Sequence, residues 1–153
     1  MRSIQVEAVA FVSNARSEVE DDHWAAVVSE ITLVEGLDED SLEGIDAFSH
    51  VEVIFHFDRV DEAKIVTGAR HPRNNTRWPK VGIFAQRGKN RPNRIGLCTA
   101  RLIERRGRTL VVEGLDAIDG TPVIDIKPVM QEFLPRGAVT QPRWAGELML
   151  SYW

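Results

Sequence analysis

The stretch "RGKNRPNRIGLCTARL", residues 87–102, concentrates side chains that bind anions. It contains four arginines and one lysine, no acidic residue, and the turn-forming sequence Arg91-Pro92-Asn93. Guanidinium groups recognise carboxylates and phosphates through paired, charge-assisted hydrogen bonds. We therefore expect this stretch to contact a negatively charged or electron-rich partner.

The formal charge is divided unevenly along the chain. The whole sequence of 153 residues has a net charge of −4, yet residues 1–64 hold 4 basic and 16 acidic side chains, residues 65–108 hold 12 and 1, and residues 109–153 hold 3 and 6. A basic middle third favours a phosphate-bearing or nucleic-acid partner. The alternative is that these cations pair with the acidic first third, within one chain or across a subunit boundary.

Several other chemistries lack their residue patterns. His50 and His56 share one face of a predicted strand but lie about 20 Å apart, too far to hold one metal ion. No other histidine or cysteine spacing indicates a metal site, so we expect none. Cys98 is the only cysteine, and its apolar neighbours predict a buried structural thiol. The motifs of hydrolases, phosphate-binding loops and dinucleotide-binding folds are absent.

Short, alternating segments rich in β-branched residues predict an all-β fold that positions these side chains. Arg106-Gly107 and Asp119-Gly120 predict tight turns between the last three strands, which would form a meander. A small, closed or nearly closed β-barrel is the simplest way to avoid exposed strand edges. The predicted strands cover residues 4–12, 24–34, 50–57, 80–86, 95–104, 109–118 and 121–126.

The segment "DEDSLEGIDAFSH" predicts a short helix around 41–47, with Asp40 as its cap, Glu43 at the third position, and Leu42 and Ile45 facing inward. Long loops connect the other elements. The length fits a single domain over residues 1–153. No apolar run of about 18 residues predicts a membrane span, and the N-terminus has no secretory pattern, so we expect a cytoplasmic protein.

Four ordered blocks resemble the TsaA-like family, also called the TrmO or YaeB family. They are "GIDAFSHVEVIFHF", "HPR", "VGIFAQRGKNRPNRIGLCTARL" and "LDAIDGTPVIDIKP", and the resemblance spans about 110 residues. It implies a small β-barrel that binds S-adenosylmethionine and works as a homodimer with the cofactor near the subunit interface. It also implies a tRNA (adenine-N6)-methyltransferase that modifies threonylcarbamoyl-adenosine 37 in the anticodon loop.

Methyl transfer from a sulfonium needs an acceptor held in line and a proton removed, and it needs neither a metal nor a covalent nucleophile. The sequence is therefore compatible with the implied activity. The basic middle third would meet the RNA backbone, and an arginine would meet the threonyl carboxylate of the modified base.

The resemblance implies a cofactor site, and its residues are carried over position by position. Arg87 stands where the family has an arginine at the site. For the block 115–128 the resemblance implies cofactor contacts without assigning each role; by their chemistry, Asp116 and Asp119 are suited to hold ribose hydroxyls or the amino group of the cofactor, and backbone groups of Ile118 and Gly120 to contact the adenine. No catalytic base is identified. The expected cofactor residues are Asp58, Arg59, Arg87, Leu97, Leu115, Asp116, Ile118, Asp119 and Gly120.

A second set of residues is expected to contact the substrate or shape the site. Arg73 would meet an RNA phosphate. Arg94 stands where the family has a second proline. Residues 22–24 replace a Pro-Arg-Gln segment of longer members, and Trp24 either stacks on a base or lies in the core. The set consists of Asp22, His23, Trp24, Arg73, Arg91, Asn93 and Arg94. Alternatively, the arginines pair with the acidic first third and fix a turn.

A function of another class stays open. A chain that keeps the barrel and the cofactor site without methylating tRNA would be an S-adenosylmethionine-binding regulatory or interaction module. The acidic overall charge favours this alternative. So does the expected lack of the additional C-terminal domain that longer members of the family carry. The complete signature blocks and the basic stretch favour the methyltransferase.

Overall fold

The computed structural model describes residues 1–153, and its main feature is a closed barrel of six antiparallel strands in the order β1-β2-β7-β6-β3-β8. Two short strands, β4 and β5, pair outside the barrel. The prediction of an all-β barrel is confirmed. The bounds are β1 Ala10–Ser13, β2 Val28–Leu33, β3 His50–His56, β4 Ala69–Arg70, β5 Val81–Gly82, β6 Ile95–Arg106, β7 Thr109–Glu113, β8 Pro122–Pro128 and one short helix, α1 Arg143–Leu148.

Alternation along the strands fills the barrel with apolar side chains. In β3, Val51, Val53 and Phe55 are buried while the intervening positions are partly exposed. β6 repeats this pattern over its first eight residues. Successive side chains of a strand point to opposite faces, so this period of two directs one set inward. A cluster of 16 buried residues forms the core. No helix is long and apolar enough to cross a bilayer.

Gly96 makes room for the largest side chain of the core. It lies opposite Phe55 in the β3–β6 register, and a Cβ atom at Gly96 would stand 2.5 Å from Cε2 and Cζ of that ring. The Phe55 ring also packs edge-to-face on Phe57, with centroids 5.2 Å apart. The glycine of the "RIGLC" sequence is therefore required by packing.

The short helix predicted around 41–47 takes the form of two 3-10 turns, Glu39–Leu42 and Ile45–Ala47, separated by Gly44 with φ of 80°. The capping box is wrong, because the N–H of Glu43 donates to the backbone carbonyl of Asp40 and no side chain caps the turn. Leu42 is buried, as predicted.

The predicted meander of the last three strands is wrong. β6 and β7 form a hairpin, but β7 otherwise pairs with β2, while β8 pairs with β1 and β3. Residues 114–121 therefore cross one end of the barrel. Leu115 and Ala117 are buried under this crossing, which explains why its alternating sequence resembles a strand. Asp119-Gly120 makes a turn, with φ of 82° at Gly120, but no hairpin.

Four predicted strands are shorter than expected. Of residues 24–34 only Val28–Leu33 is strand, and of residues 109–118 only Thr109–Glu113. Only Ala10–Ser13 of the first segment pairs with neighbours. In "KVGIFAQ", only Val81–Gly82 is strand, and a 3-10 turn follows at Ile83–Ala85. Residues 57–94 consequently form a long connection that carries much of the basic charge beside the barrel.

Candidate functional site

The segment that crosses the barrel end presents an incompletely satisfied carboxylate. Leu115 and Ala117 anchor the segment in the core, and Asp116 lies between them. Oδ2 of Asp116 accepts a hydrogen bond from the hydroxyl of Tyr152. Oδ1 of Asp116 is buried and has no partner in the chain. A buried polar atom without a partner is costly, so this oxygen is an acceptor suited to a ligand donor.

Cys98 and Tyr152 lie beside this carboxylate, and Arg87 is close enough to act electrostatically on both of them. Nη2 of Arg87 donates to the carbonyl of Leu97 at 2.6 Å. Burial raises the pKa of the Cys98 thiol and of the Tyr152 hydroxyl, and the negative charge of Asp116 raises both further, whereas Arg87 acts in the opposite direction. Both groups therefore stay protonated at neutral pH. Cys98 is a buried thiol, as predicted, and not a nucleophile.

Asp119 and Gly120 are held by the chain itself. Nη2 of Arg59 donates to the carbonyl of Asp119 at 2.9 Å. Oδ1 of Asp119 accepts a hydrogen bond from the N–H of Asn14 at 3.0 Å. The backbone N–H of Asp119 donates to the carbonyl of Arg16 at 2.7 Å. The carboxylate of Asp119 therefore supports the turn. Asp58 is exposed, and its side chain has no hydrogen-bond partner.

Residues 22–24 are organised by Arg16. Its guanidinium donates to the carbonyls of Asp22 at 2.9 Å and His23 at 2.8 Å, and its Cζ lies 4.0 Å from the ring centroid of Trp24. Trp24 is only 3% exposed. This burial agrees with the core alternative and leaves no open face for stacking on a base.

Arg73 is engaged by a second carboxylate. Its two terminal nitrogens contact the oxygens of Asp22 at 2.8 and 3.3 Å. Both sides of this ion pair carry positive φ angles, 66° at His23, 50° at Arg73 and 57° at Asn74. Such angles are strained for residues other than glycine. The pair therefore joins two strained loops, and Arg73 does not present a free charge to a phosphate.

Arg91 and Arg94 shape the loop before β6. Nη1 of Arg91 donates to the carbonyl of Gln86 at 2.9 Å. Arg94 has φ of 52° and donates its N–H to the carbonyl of Arg91 at 3.0 Å. Proline fixes φ near about −65° and has no N–H, so it could not adopt this conformation. Asn93 is exposed, and its side chain makes no hydrogen bond.

Ion pairs within the chain neutralise many of the basic side chains of the middle third. Five ion pairs join the basic middle third to the acidic first third: Arg73–Asp22, Lys89–Asp21, Arg94–Glu62, Arg105–Glu43 and Arg106–Glu30. The side chains of Arg70, Arg77 and Lys80 form neither ion pairs nor hydrogen bonds, and Arg77 and Lys80 are exposed. No group of three histidine, cysteine or acidic side chains could hold a metal ion.

Sequence reasoning missed three residues of this region. Asn14 donates to Ser29 Oγ and to the carbonyl of Ala117, at 2.9 and 2.8 Å. Arg16 holds residues 22–24, and Tyr152 contacts Asp116. Asn14 and Arg16 lie outside the recognised blocks, and the position of Tyr152 near Asp116 depends on the path of the chain after β8.

A model of the family described as "tRNA-methyltransferase O N-terminal domain" matches residues 16–133. The chain belongs to this family. The family range includes every predicted site residue from Asp22 to Gly120 and ends before Tyr152.

The chain is also similar to individual proteins. It is 40% identical over 95 residues to a "Probable S-adenosyl-L-methionine-binding protein" of Pyrococcus abyssi, covering 61% of this chain and 48% of that protein. It is 38% identical over 104 residues to the human "tRNA (adenine(37)-N6)-methyltransferase", covering 68% of this chain and 23% of that protein. A crystal structure of TrmO from Pseudomonas aeruginosa superposes with a TM-score of 0.73 at 25% identity, covering 91% and 61% of the two chains. The chain thus spans less than two thirds of each protein.

Proposed function

We propose that the chain binds S-adenosylmethionine beside Asp116 and Arg87 and transfers its methyl group to N6 of adenosine 37 in tRNA, with threonylcarbamoyl-adenosine as the acceptor. Family membership and the activity in the name of the human relative support this proposal. The observation that carries it is the buried Oδ1 of Asp116, which is the one acceptor among the four buried side-chain atoms without a partner, the other three being arginine Nε atoms.

The groups around Asp116 fit the chemistry of S-adenosylmethionine, which carries hydroxyl and ammonium donors and a carboxylate. Asp116 accepts a donor at Oδ1, and Arg87 has N–H groups beyond the one bound to Leu97. Ile118 and Leu97 offer apolar surface, while Arg59 stabilises the turn at Asp119. When bound, the cofactor supplies a methyl group on a positively charged sulfur. The chain contributes by binding and orientation.

Arg77 and Lys80 are the proposed contacts to the tRNA backbone. They are exposed, lack internal partners and lie on the loop that Arg73 and Asp22 fix in place. Phosphate contacts from such cations provide affinity and a dependence on salt concentration. The threonyl carboxylate of the acceptor would meet Arg91, whose guanidinium uses one nitrogen on the carbonyl of Gln86.

A homodimer is part of the proposal. Ile95, Leu97 and Ile103 lie on the outer face of β6 and are 41–45% exposed. Exposed aliphatic side chains such as the adjacent pair Ile95 and Leu97 on this face favour contact with another protein surface. Light scattering should give twice the 17.2 kDa of one chain, and a single-chain mass at micromolar concentration would exclude the dimer. A tRNA-modifying role also suggests a cytoplasmic location.

The second candidate is a module that binds S-adenosylmethionine and does not methylate tRNA. Its support is that the Pyrococcus relative is named for binding alone and that the chain covers only 23% of the human methyltransferase. Both candidates share the cofactor site. They differ in whether methyl groups reach tRNA.

Calorimetric titration with S-adenosylmethionine tests the shared site. We compare the wild type with Asp116→Ala and with Asp46→Ala, a matched control whose exposed carboxylate has no partner. Binding should be retained in Asp46→Ala and weakened at least about tenfold in Asp116→Ala, because a hydrogen bond to a charged group is lost. No binding to the wild type, or equal binding by all three proteins, would overturn the proposal.

A further inference from the structure

The C-terminal segment brings a hydroxyl group to Asp116 from outside the family range. α1 is attached to the long loop, because Nε1 of Trp78 donates to Oε2 of Glu147 at 2.9 Å. The N–H of His23 donates to the carbonyl of Ser151, and the N–H of Trp24 donates to that of Tyr152, both at 2.9 Å. The backbone at Tyr152 is thus fixed on residues 22–24, and the ring is directed from there to the barrel end.

The two oxygens of Asp116 have different environments. Oδ2 is bound by the hydroxyl of Tyr152, whereas Oδ1 is buried and unpartnered. The other ionisable groups facing this carboxylate are Cys98, which stays protonated, and Arg87. The hydroxyl of Tyr152 makes the direct hydrogen bond to this carboxylate, and the Cys98 thiol adds a weaker side-chain interaction with it. The orientation of the carboxylate therefore depends mainly on Tyr152.

We propose that Tyr152 is a positioning residue: its hydroxyl holds Oδ2 of Asp116 so that Oδ1 is directed to a donor group of S-adenosylmethionine. This inference rests on the proposed function. A carboxylate with one oxygen fixed needs no reorientation when the second oxygen receives a ligand donor. Tyr152 does not itself contact the cofactor in this arrangement. It also connects the 22–24 segment to the cofactor site.

Tyr152→Phe tests the inference, because it removes the hydroxyl and keeps the ring. Thr32→Val is the matched control. It removes a hydroxyl hydrogen bond of 2.9 Å to Thr109, at the end of the β2–β7 pair that is far from Asp116. Calorimetry should show about tenfold weaker S-adenosylmethionine binding for Tyr152→Phe and unchanged binding for Thr32→Val. Thermal denaturation establishes that both variants are folded at the temperature of the titration.

A double-mutant cycle with Asp116→Ala separates positioning from a purely structural role. If the hydroxyl acts through the carboxylate, Tyr152→Phe should weaken S-adenosylmethionine binding in the wild-type background and have little further effect in the Asp116→Ala background. Unchanged or tighter binding by Tyr152→Phe, or an equal loss of affinity in both backgrounds, would overturn the inference and leave the proposed function standing. A wild type that does not bind S-adenosylmethionine would overturn both.

Discussion

Replacing Arg73 with alanine should lower the stability of the protein and leave the salt dependence of its tRNA binding unchanged. The substitution removes two contacts to Asp22, at 2.8 and 3.3 Å. Hydrogen bonds to charged groups contribute about 1.5–3 kcal/mol, whereas fully exposed ion pairs contribute at most about 1 kcal/mol. The two side chains keep 29% and 28% of their exposure, so solvent screening reduces the expected loss to about 1–2 kcal/mol.

Urea denaturation measures this loss as a change in the free energy of unfolding. The control is a double-mutant cycle with Asp22→Ala, in which the second substitution should add little once the first has broken the pair. The positive φ angles at His23 and Arg73 make such coupling expected, because the ion pair holds both strained loops. Additive effects of the two substitutions would show that the pair contributes nothing.

Salt-dependent tRNA binding separates the structural cation Arg73 from the cations proposed to contact RNA. In filter binding to tRNA at several salt concentrations, Arg77→Ala and Lys80→Ala should each reduce the slope of log affinity against log salt by about 0.7–0.9, one phosphate contact. Arg73→Ala should retain the wild-type slope. An Arg73→Ala protein of normal stability with a reduced slope would refute the interpretation of the ion pair.

Three further predictions concern the barrel, the thiol and the C-terminal helix. Gly96→Ala should destabilise the fold by about 1–3 kcal/mol, measured by denaturation, because its methyl group would overlap Phe55; a loss below about 0.5 kcal/mol would contradict the packing. Cys98 should resist alkylation at neutral pH in the folded protein and react after unfolding, because burial raises the pKa of the thiol; rapid modification of the native protein would be inconsistent with this burial. The indole N–H of Trp78 lowers the pKa of Glu147, so their contact should be complete above the ordinary glutamate range of about 4–5 and lost as the pH falls through that lowered pKa. The indole N–H resonance of Trp78 should report this transition, and a resonance that is constant down to strongly acidic pH would contradict it.

The strand pattern predicted the barrel because a period of two is clear in β1, β2, β3 and the first part of β6, although β7 buries three successive residues. β3 and β6 are recognisable from Val51, Val53 and Phe55 and from the alternation of Ile95–Arg106. The meander could not be excluded from sequence. Leu115 and Ala117 produce the same alternation when they cross and close the barrel end as they would in a strand.

Site residues that lie within a recognised sequence block could be predicted. Residues whose role depends on tertiary contacts could not. Asp116 and Arg87 were identified from their blocks, and both lie close enough to Tyr152 to influence the pKa of its hydroxyl. Arg73 and Asp22 were named separately, but their pairing depends on two loops 51 residues apart in sequence. Tyr152 carries no local signal, since its contact with Asp116 is made by chain segments 36 residues apart.

Methylation of tRNA by the purified protein tests the central claim most directly. The protein is incubated with S-adenosylmethionine and with tRNA that carries threonylcarbamoyl-adenosine at position 37, and the nucleosides are analysed by mass spectrometry with Asp116→Ala as the comparison. We predict that the modified adenosine gains the mass of one methyl group with the wild type, and that this product is strongly reduced with the variant. Binding of S-adenosylmethionine without a methylated nucleoside, at enzyme concentrations that saturate the tRNA, would contradict methyl transfer and favour the binding module.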